Sequence, residues 1–278
     1  CFAQNDPVAA IERLARHYSH TVYSDKAKPE EITAKAKLLL EQVFGEHGAS
    51  QIINNPVFKA HFIVARSKGL TASKRPVLQG SGLLASYLLN RMDRKLLRHQ
   101  YQRVIYQPEG SDFRFSDPYR FETQHIGFSQ NNLSEALLAS GSIPLVMQGV
   151  KNIGQSPRGM YRDGGIIDYH FDIKIDNPGL VLYPHFNASP KAGWFDKNLK
   201  RKVAAANYDN VLLVCPSARF IDGLPYQKIP DRNDFTKMGA EQRINYWQQV
   251  FSETERMSDD FANIVATQAI ERIKPLPF

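Results

Sequence analysis

A carboxylate followed at once by two glycines constrains the middle of this chain more than any other feature. Residues 160–162 have the pattern of a short strand, which brings Asp163 to a turn made of Gly164 and Gly165. Because glycine has no Cβ, these two positions can take positive φ and let other groups approach the backbone closely. The pattern predicts either an acid held rigidly beside a reacting atom or the tight turn of a plain β-hairpin, which Asp-Gly commonly forms.

A patch of small residues precedes this turn and follows a predicted helix. Residues 133–138 have helical spacing and lead directly into residues 139–143, Ala-Ser-Gly-Ser-Ile, which Pro144 terminates. Proline cannot continue a helix, and small side chains permit close packing. The patch and the Asp163 turn form a pair of motifs in a fixed order.

This pair of motifs resembles the late block of the patatin-like phospholipases, in which an Ala-Ser-x-x-Ile-Pro patch precedes Asp-Gly-Gly. The resemblance implies a fold of the α/β class, a single three-layer α/β/α domain over residues 1–278 with a central mixed or mostly parallel sheet. It also implies that Asp163 is catalytic, as the partner of a serine nucleophile, with Gly164 and Gly165 as its supporting turn. The expected activity is that of a lipid acyl hydrolase, a phospholipase or esterase that uses a Ser-Asp dyad.

The serine that this dyad needs is not found in the chain. The family's glycine-rich oxyanion loop and its GxSxG nucleophile elbow both lie N-terminal to the Asp-Gly-Gly block, and neither occurs in the 278 residues. The chain opens with Cys1 rather than with methionine. We therefore expect the nucleophilic serine to lie upstream of Cys1. The resemblance implies no metal and no organic cofactor.

Other functions fit the same residues. Without a nucleophile and an oxyanion loop, the chain would be a non-catalytic scaffold of the same fold that binds lipid or protein. Less favoured is an N-terminal-nucleophile hydrolase, in which Cys1 attacks and its own amine acts as the base. Three histidines lie near predicted strand ends and are candidates for a Ser-His-Asp triad, although the resembling family works without one: His125, His170 and His185.

Composition limits the kinds of partner that this protein is expected to bind more than it limits the expected activity. The formal net charge of +7 favours anionic partners. Together with the resemblance, it predicts a phospholipid or another acyl-ester lipid, an anionic membrane surface as a further partner, and no nucleic acid. The apolar fraction of 42% is ordinary for a globular protein, and no apolar run reaches the length of a membrane span. A cytoplasmic or peripheral-membrane location is expected.

Residues 80–103 are predicted to form a helical insertion or lid. Apolar residues recur there every four positions, namely Leu84, Leu88, Met92 and Leu96. Basic residues occupy other positions, namely Arg91, Arg94, Lys95, Arg98 and Arg103. Such a helix can lie on an anionic membrane with its apolar face down, or pack that face on the core and leave the basic face in solvent. The sequence leaves both arrangements open.

Continuous apolar runs predict the strands of the sheet. Residues 62–65, 180–183 and 211–214 are apolar throughout, as expected for strands buried on both faces. Residues 101–106 and 122–128 are further predicted strands, and helices are predicted to start near Pro7 and Pro29. Cys215 follows the run 211–214 and is predicted to be a buried, inert thiol.

Overall fold

The computed structural model describes all residues from 1 to 278. Its strands are β1 (Phe62–Ser67), β2 (Tyr101–Gln107), β3 (Phe115–Ser116), β4 (Thr123–Gly127), β5 (Val150–Lys151), β6 (Met160–Asp163), β7 (Lys174–Ile175), β8 (Val181–Pro184) and β9 (Val211–Val214). Its α-helices are α1 (Pro7–Ser19), α2 (Pro29–Phe44), α3 (Gly48–Asn54), α4 (Pro76–Met92), α5 (Leu133–Ser140), α6 (Ala218–Asp222), α7 (Asp234–Lys237) and α8 (Ala240–Thr267).

Five strands form the central sheet, in the order β4-β2-β1-β6-β5. β1 is antiparallel to both β2 and β6, β5 is antiparallel to β6, and β4 runs parallel to β2. The register pairs Phe62 with Tyr106 and Val64 with Asp163. The start of β1 and the ends of β2 and β6 therefore lie at one end of the sheet, which we call the Asp163 end.

Helices cover both faces of this sheet. Because successive side chains of a strand point to opposite sides, neighbouring residues of β1 contact different helices. On one face Val64 packs in a cluster with Ile52 of α3 and Ala136 of α5. On the other face its neighbour Ala65 packs in a cluster with Leu83 of α4. The predicted α/β class and the predicted mixed sheet are confirmed.

The prediction of a mostly parallel sheet was wrong, since the sheet is mostly antiparallel. Residues 62–65 are apolar throughout because helices bury both faces of β1, and this burial does not depend on the direction of the neighbouring strands. In β1 the continuous apolar run therefore reflects two-sided burial and leaves the strand direction undetermined.

Two of the predicted buried strands lie outside the central sheet. β8 and β9 pair with each other in parallel and form a separate two-stranded sheet. One face of this small sheet packs through Tyr183 and Val211 against a cluster of Ala192, Val203 and Tyr208. Leu182 points away from that cluster and is 52% exposed. The prediction of burial on both faces was wrong here, because helices do not cover the second side.

Residues 80–103 form three elements instead of one helix. Helix α4 begins at Pro76 and ends at Met92, a 3-10 segment covers Arg94–His99, and β2 begins at Tyr101. Asp93 separates the two helical pieces, because its backbone is extended and its side chain accepts a hydrogen bond from the amide of Lys95. Two of the predicted basic surface residues are buried, Arg94 and Arg103.

The chain's two ends pack against each other through α8. Tyr246, Trp247 and Val250 of α8 form a buried cluster with Leu224. The guanidinium of Arg243 donates hydrogen bonds to the carbonyl oxygens of Ser19 and Thr21, at 2.7 and 2.6 Å.

None of the helices combines the length and the apolar character needed to cross a bilayer.

Candidate active site

Asp163 ends β6 and caps the turn that follows it. Its Oδ1 accepts a hydrogen bond from the amide of Gly165 at 2.7 Å, and its own amide donates to the carbonyl of Ser142 at 3.1 Å. The residues after it form a 3-10 turn, Gly164–Ile166, and β6 does not pair with the strand that comes next in the chain. The plain hairpin, one of the two arrangements predicted from Asp-Gly, is therefore not formed.

At the two glycine positions, neighbouring atoms leave little room for a side chain. A Cβ on Gly164 would lie 2.1 Å from the carbonyl oxygen of Ile63, and one on Gly165 would lie 3.0 Å from Oδ1 of Asp163. Neither glycine has positive φ. The predicted close approach to the backbone is confirmed, and the predicted positive φ was wrong because the turn is right-handed 3-10.

The surroundings of Asp163 favour its neutral form. Burial is the main cause and raises the pKa of the carboxyl above its ordinary 3.8, while the Gly165 amide and the charges of Arg232 and Lys197 oppose this shift. Oδ2 has no hydrogen-bond partner within the chain and is not fully buried. One oxygen is thus held in place and the other is available to accept a proton, as general-base catalysis requires.

A cavity of about 280 Å³ opens at the Asp163 end of the sheet. Gly164 and Gly165 line it, and so does Ser140, whose hydroxyl donates to the carbonyl of Ile63 at 2.8 Å. The rest of the wall consists of His61, Asp168 and six apolar residues, namely Phe62, Ile63, Phe113, Phe171, Ile173 and Ile175. No residue of 80–103 lines the cavity, and the lid role of that range stays a prediction.

A buried ion-pair network supports one side of the cavity. Asp168 lines it and binds Arg103 through two hydrogen bonds, at 2.6 Å from Nε and 2.8 Å from an Nη. The same guanidinium donates to Asp117 at 2.8 Å. Burial disfavours the charge on Arg103, yet the two carboxylates raise the pKa of the guanidinium above its ordinary value. Both carboxylate oxygens of Asp168 accept hydrogen bonds from Arg103, so Asp168 holds its part of the cavity wall in place.

The three histidines predicted near strand ends are not joined to Asp163. His170 and His185 pack together with ring centroids 4.3 Å apart, and their Nε2 atoms are buried without a partner. Burial first, and then the neighbouring His185 and Lys197, lowers the pKa of His170 to about 3. His125 interacts with Gln107 instead. No hydrogen bond links any of them to Asp163, so a Ser-His-Asp triad with these residues is not formed.

Neither cysteine lines the cavity. Cys1 is partly buried, and burial lowers the pKa of its amine. Cys215 lies one residue beyond β9 and is only partly buried, although this burial still raises the pKa of its thiol. The role of Cys1 as a nucleophile stays a prediction, and the full burial predicted for Cys215 was wrong.

Sequence reasoning missed several residues that line the cavity. Ser140 belongs to the small-residue patch that had been identified, although no role was assigned to its hydroxyl. His61 directly precedes the predicted strand 62–65, and its position before a buried strand was the signal that could have identified it. Asp168 and its partner Arg103 are 65 positions apart, and no local pattern connects them.

Comparison with protein-family models, with curated proteins and with solved structures gives no match for this chain. Any function is therefore inferred from the residues of the site and from the motifs of the sequence.

Proposed function

We propose that this chain is part of a patatin-like lipid acyl hydrolase, a serine esterase or phospholipase. In this proposal Asp163 is the base of a Ser-Asp dyad, Gly164 and Gly165 form its turn, and the serine lies upstream of Cys1. A hydroxyl is a weak nucleophile until a neighbouring base accepts its proton. The substrate is a phospholipid or another acyl-ester lipid, and no nucleic acid is bound.

One observation supports this proposal above all. Asp163 is a partly buried carboxylate with one oxygen fixed by Gly165, a second oxygen without a partner, and a raised pKa, in the turn that lines an apolar cavity. A catalytic base works best when its pKa is brought closer to the working pH. The apolar wall suits the acyl part of an ester.

A membrane surface is the further partner in this proposal. Leu84, Leu88 and Met92 form an exposed apolar row along α4, and they are 60%, 51% and 78% exposed. Exposed basic side chains lie on and around the same helix, namely Lys74, Arg75, Arg91, Lys95 and Arg98. This combination is typical of a helix that rests on an anionic bilayer, and it supports a peripheral-membrane or cytoplasmic location.

The test is hydrolysis of a short-chain acyl ester by the full-length gene product and by its Asp163→Asn variant. Asparagine keeps the size of the side chain and cannot accept the proton, so we expect the rate of hydrolysis by the Ser-Asp dyad to fall by about 100-fold or more. The parent rate should rise as pH increases through the raised pKa of Asp163, because only the ionised carboxylate is a base.

Asp259→Asn is the matched control, because Asp259 is exposed on α8 and should tolerate the same change. A fluorophosphonate adduct on a serine upstream of Cys1 that forms at the parent's rate in Asp163→Asn, in a variant with the parent's circular dichroism spectrum, would exclude Asp163 as the base.

A non-catalytic lipid-binding scaffold is the second candidate. The exposed apolar row on α4 favours it, because this row would bind a bilayer without any chemistry. Vesicle binding in a full-length product that hydrolyses no ester would support the scaffold.

A further inference from the structure

Two residues at the Asp163 end of the sheet form a pair that the sequence did not predict. The hydroxyl of Ser111 lies 2.7 Å from Nε2 of His61, and Nδ1 of the same ring lies 2.8 Å from the carbonyl oxygen of Lys59. A carbonyl oxygen only accepts hydrogen bonds, so the proton of the neutral imidazole is on Nδ1. Nε2 therefore carries the lone pair, and the hydroxyl of Ser111 donates to it.

The register of the sheet brings these two residues together. His61 comes immediately before β1 and Ser111 comes four residues after β2, and these strands are antiparallel with Phe62 opposite Tyr106. A turn places Ser111 beyond the strand, since its amide donates to the carbonyl of Pro108 at 3.2 Å. The Lys59 carbonyl orients His61, and His61 in turn contacts the hydroxyl, which is the order found in activated nucleophiles.

The state of His61 suits a base. Burial is the largest effect and lowers the pKa of the imidazole below its ordinary 6.5, and His125 acts in the same direction, while the Lys59 carbonyl and Asp112 oppose it. The ring is therefore neutral at pH 7 and has a lone pair free to accept a proton. Phe113 packs against it with centroids 4.7 Å apart and holds its orientation.

The pair adjoins the apolar cavity through His61, which lines it, while Ser111 contacts the cavity wall through its hydrogen bond to His61. Phe113, Ile173 and Ile175 line the same cavity. The amide of Asp112, the residue after Ser111, makes no hydrogen bond within the chain. The amide that follows a nucleophilic serine is a common donor to the oxyanion in acyl transfer.

We propose that Ser111 and His61 form a nucleophile and base pair that hydrolyses carboxylic esters whose acyl group occupies the adjoining apolar cavity. This proposal does not depend on Asp163 or on any serine upstream of the chain, because both reacting groups belong to the residues described here.

The chemistry needs only an ester and water. Ser111 Oγ attacks the carbonyl carbon while its proton moves to Nε2 of His61, and the amide of Asp112 stabilises the oxyanion. The bond between the acyl carbon and the leaving oxygen then breaks, and His61 gives the proton to the departing alcohol. Water next attacks the acyl-serine and passes a proton to His61. That proton returns to Ser111 Oγ as the carboxylic acid leaves.

The test treats the 278-residue chain with a fluorophosphonate probe and locates the adduct by peptide mass spectrometry. We expect a single modified serine, Ser111, and no adduct after Ser111→Ala. His61→Gln keeps the serine and removes the base, so its labelling rate should fall by about 100-fold or more. The parent rate should reach its plateau below the pH expected for an ordinary histidine, because the pKa of His61 is lowered.

Ser116→Ala is the matched control, since Ser116 is an exposed serine close by in the chain that hydrogen bonds to Asp176. A further variant, Ser111→Cys, tests the proposal if Ser111→Ala or His61→Gln is poorly folded. In Ser111→Cys the imidazole should lower the pKa of the new thiol, so iodoacetamide should react with it at pH 6 at least tenfold faster than with Ser116→Cys.

Labelling elsewhere, no labelling of the chain, or equal thiol reactivity of the two cysteine variants would overturn the proposal. The position of the adduct also separates it from the Ser-Asp dyad. In the full-length gene product, an adduct upstream of Cys1 that depends on Asp163 would identify that dyad, whereas an adduct on Ser111 that depends on His61 identifies the present pair.

Discussion

At the residue scale, Gly164 shows how one absent methyl group shapes the candidate site. The backbone of the turn lies so close to β1 that a Cβ on Gly164 would be 2.1 Å from the Ile63 carbonyl oxygen. That oxygen also accepts a hydrogen bond from the hydroxyl of Ser140, so a shift of the Ile63 carbonyl would break this hydrogen bond as well. The glycine therefore allows β1, the Asp163 turn and the end of α5 to meet at one point.

We predict that Gly164→Ala lowers the free energy of unfolding by about 1–3 kcal/mol, because the clash is with backbone and the sheet must shift to relieve it. Urea unfolding followed by circular dichroism measures this change. Gly80→Ala is the control with the opposite sign. Gly80 lies inside α4 with open space around it, so alanine there should stabilise the helix by about 0.5–1 kcal/mol. Equal stability of the Gly164→Ala variant and the parent would contradict the close contact.

The local sequence identified the residues of the Asp163 turn but did not identify the pair Ser111 and His61. Asp163, Gly164 and Gly165 are adjacent, and their order alone predicted a carboxylate held in a tight turn. Ser111 and His61 are 50 positions apart, and neither lies in a recognisable motif. Only the antiparallel register of β1 and β2 brings their side chains into contact.

At the element scale, α4 has its polar side buried and much of its apolar side exposed. The buried positions are Gln79, Gly82, Leu83, Ser86 and Asn90. Most of their polar atoms are hydrogen bonded, as when Asn90 donates to Asp196 at 2.8 Å, and Nε2 of Gln79 is the exception. The four-residue apolar repeat was recognised correctly, but periodicity could not tell which face is buried, because a polar face can be buried when its groups find partners.

We predict that the double variant Leu84→Gln and Leu88→Gln binds vesicles of anionic phospholipid at least about tenfold more weakly than the parent. Burying one leucine in an apolar medium contributes about 1.5–3 kcal/mol, and 1.4 kcal/mol is a factor of ten in binding. Vesicle co-sedimentation measures the difference. Because both side chains are exposed, the variant should unfold at the parent's urea concentration.

Leu180→Gln is the matched control for this experiment. Leu180 is 80% exposed and lies before β8, away from α4 in the chain. If Leu180→Gln weakens vesicle binding as much as the α4 variant does, α4 is not the membrane contact.

At the scale of the whole molecule, Arg243 joins segments more than 200 positions apart. Its guanidinium is buried, donates to the carbonyls of Ser19 and Thr21, and lies over the ring of Phe235 with its central carbon 4.2 Å from the centroid. These contacts connect α8 to the segment that follows α1, and they satisfy carbonyl groups at the end of that helix.

We predict that Arg243→Ala lowers the free energy of unfolding by about 2–3 kcal/mol, because two hydrogen bonds from a charged donor are lost and buried carbonyls are left without partners. Urea unfolding again measures the change. Arg256→Ala, also on α8, removes an exposed side chain paired only with Glu253, and it should change stability by less than about 0.5 kcal/mol. If the two variants are equally stable, Arg243 does not hold these segments together.

Sequence alone determined the α/β class, most helix and strand positions and the Asp163 turn, because apolar periodicity, capping residues and glycines act over a few neighbouring positions. For example, α1 begins at Pro7, as predicted, and Asp6 before it accepts a hydrogen bond from the amide of Ala9. Tertiary structure alone decided the mostly antiparallel sheet, the separate pairing of β8 with β9, the buried face of α4 and the contact between Ser111 and His61. Each of these depends on which distant partner an element finds, and the free energy of such pairing comes from packing and hydrogen bonding between segments that no local pattern connects.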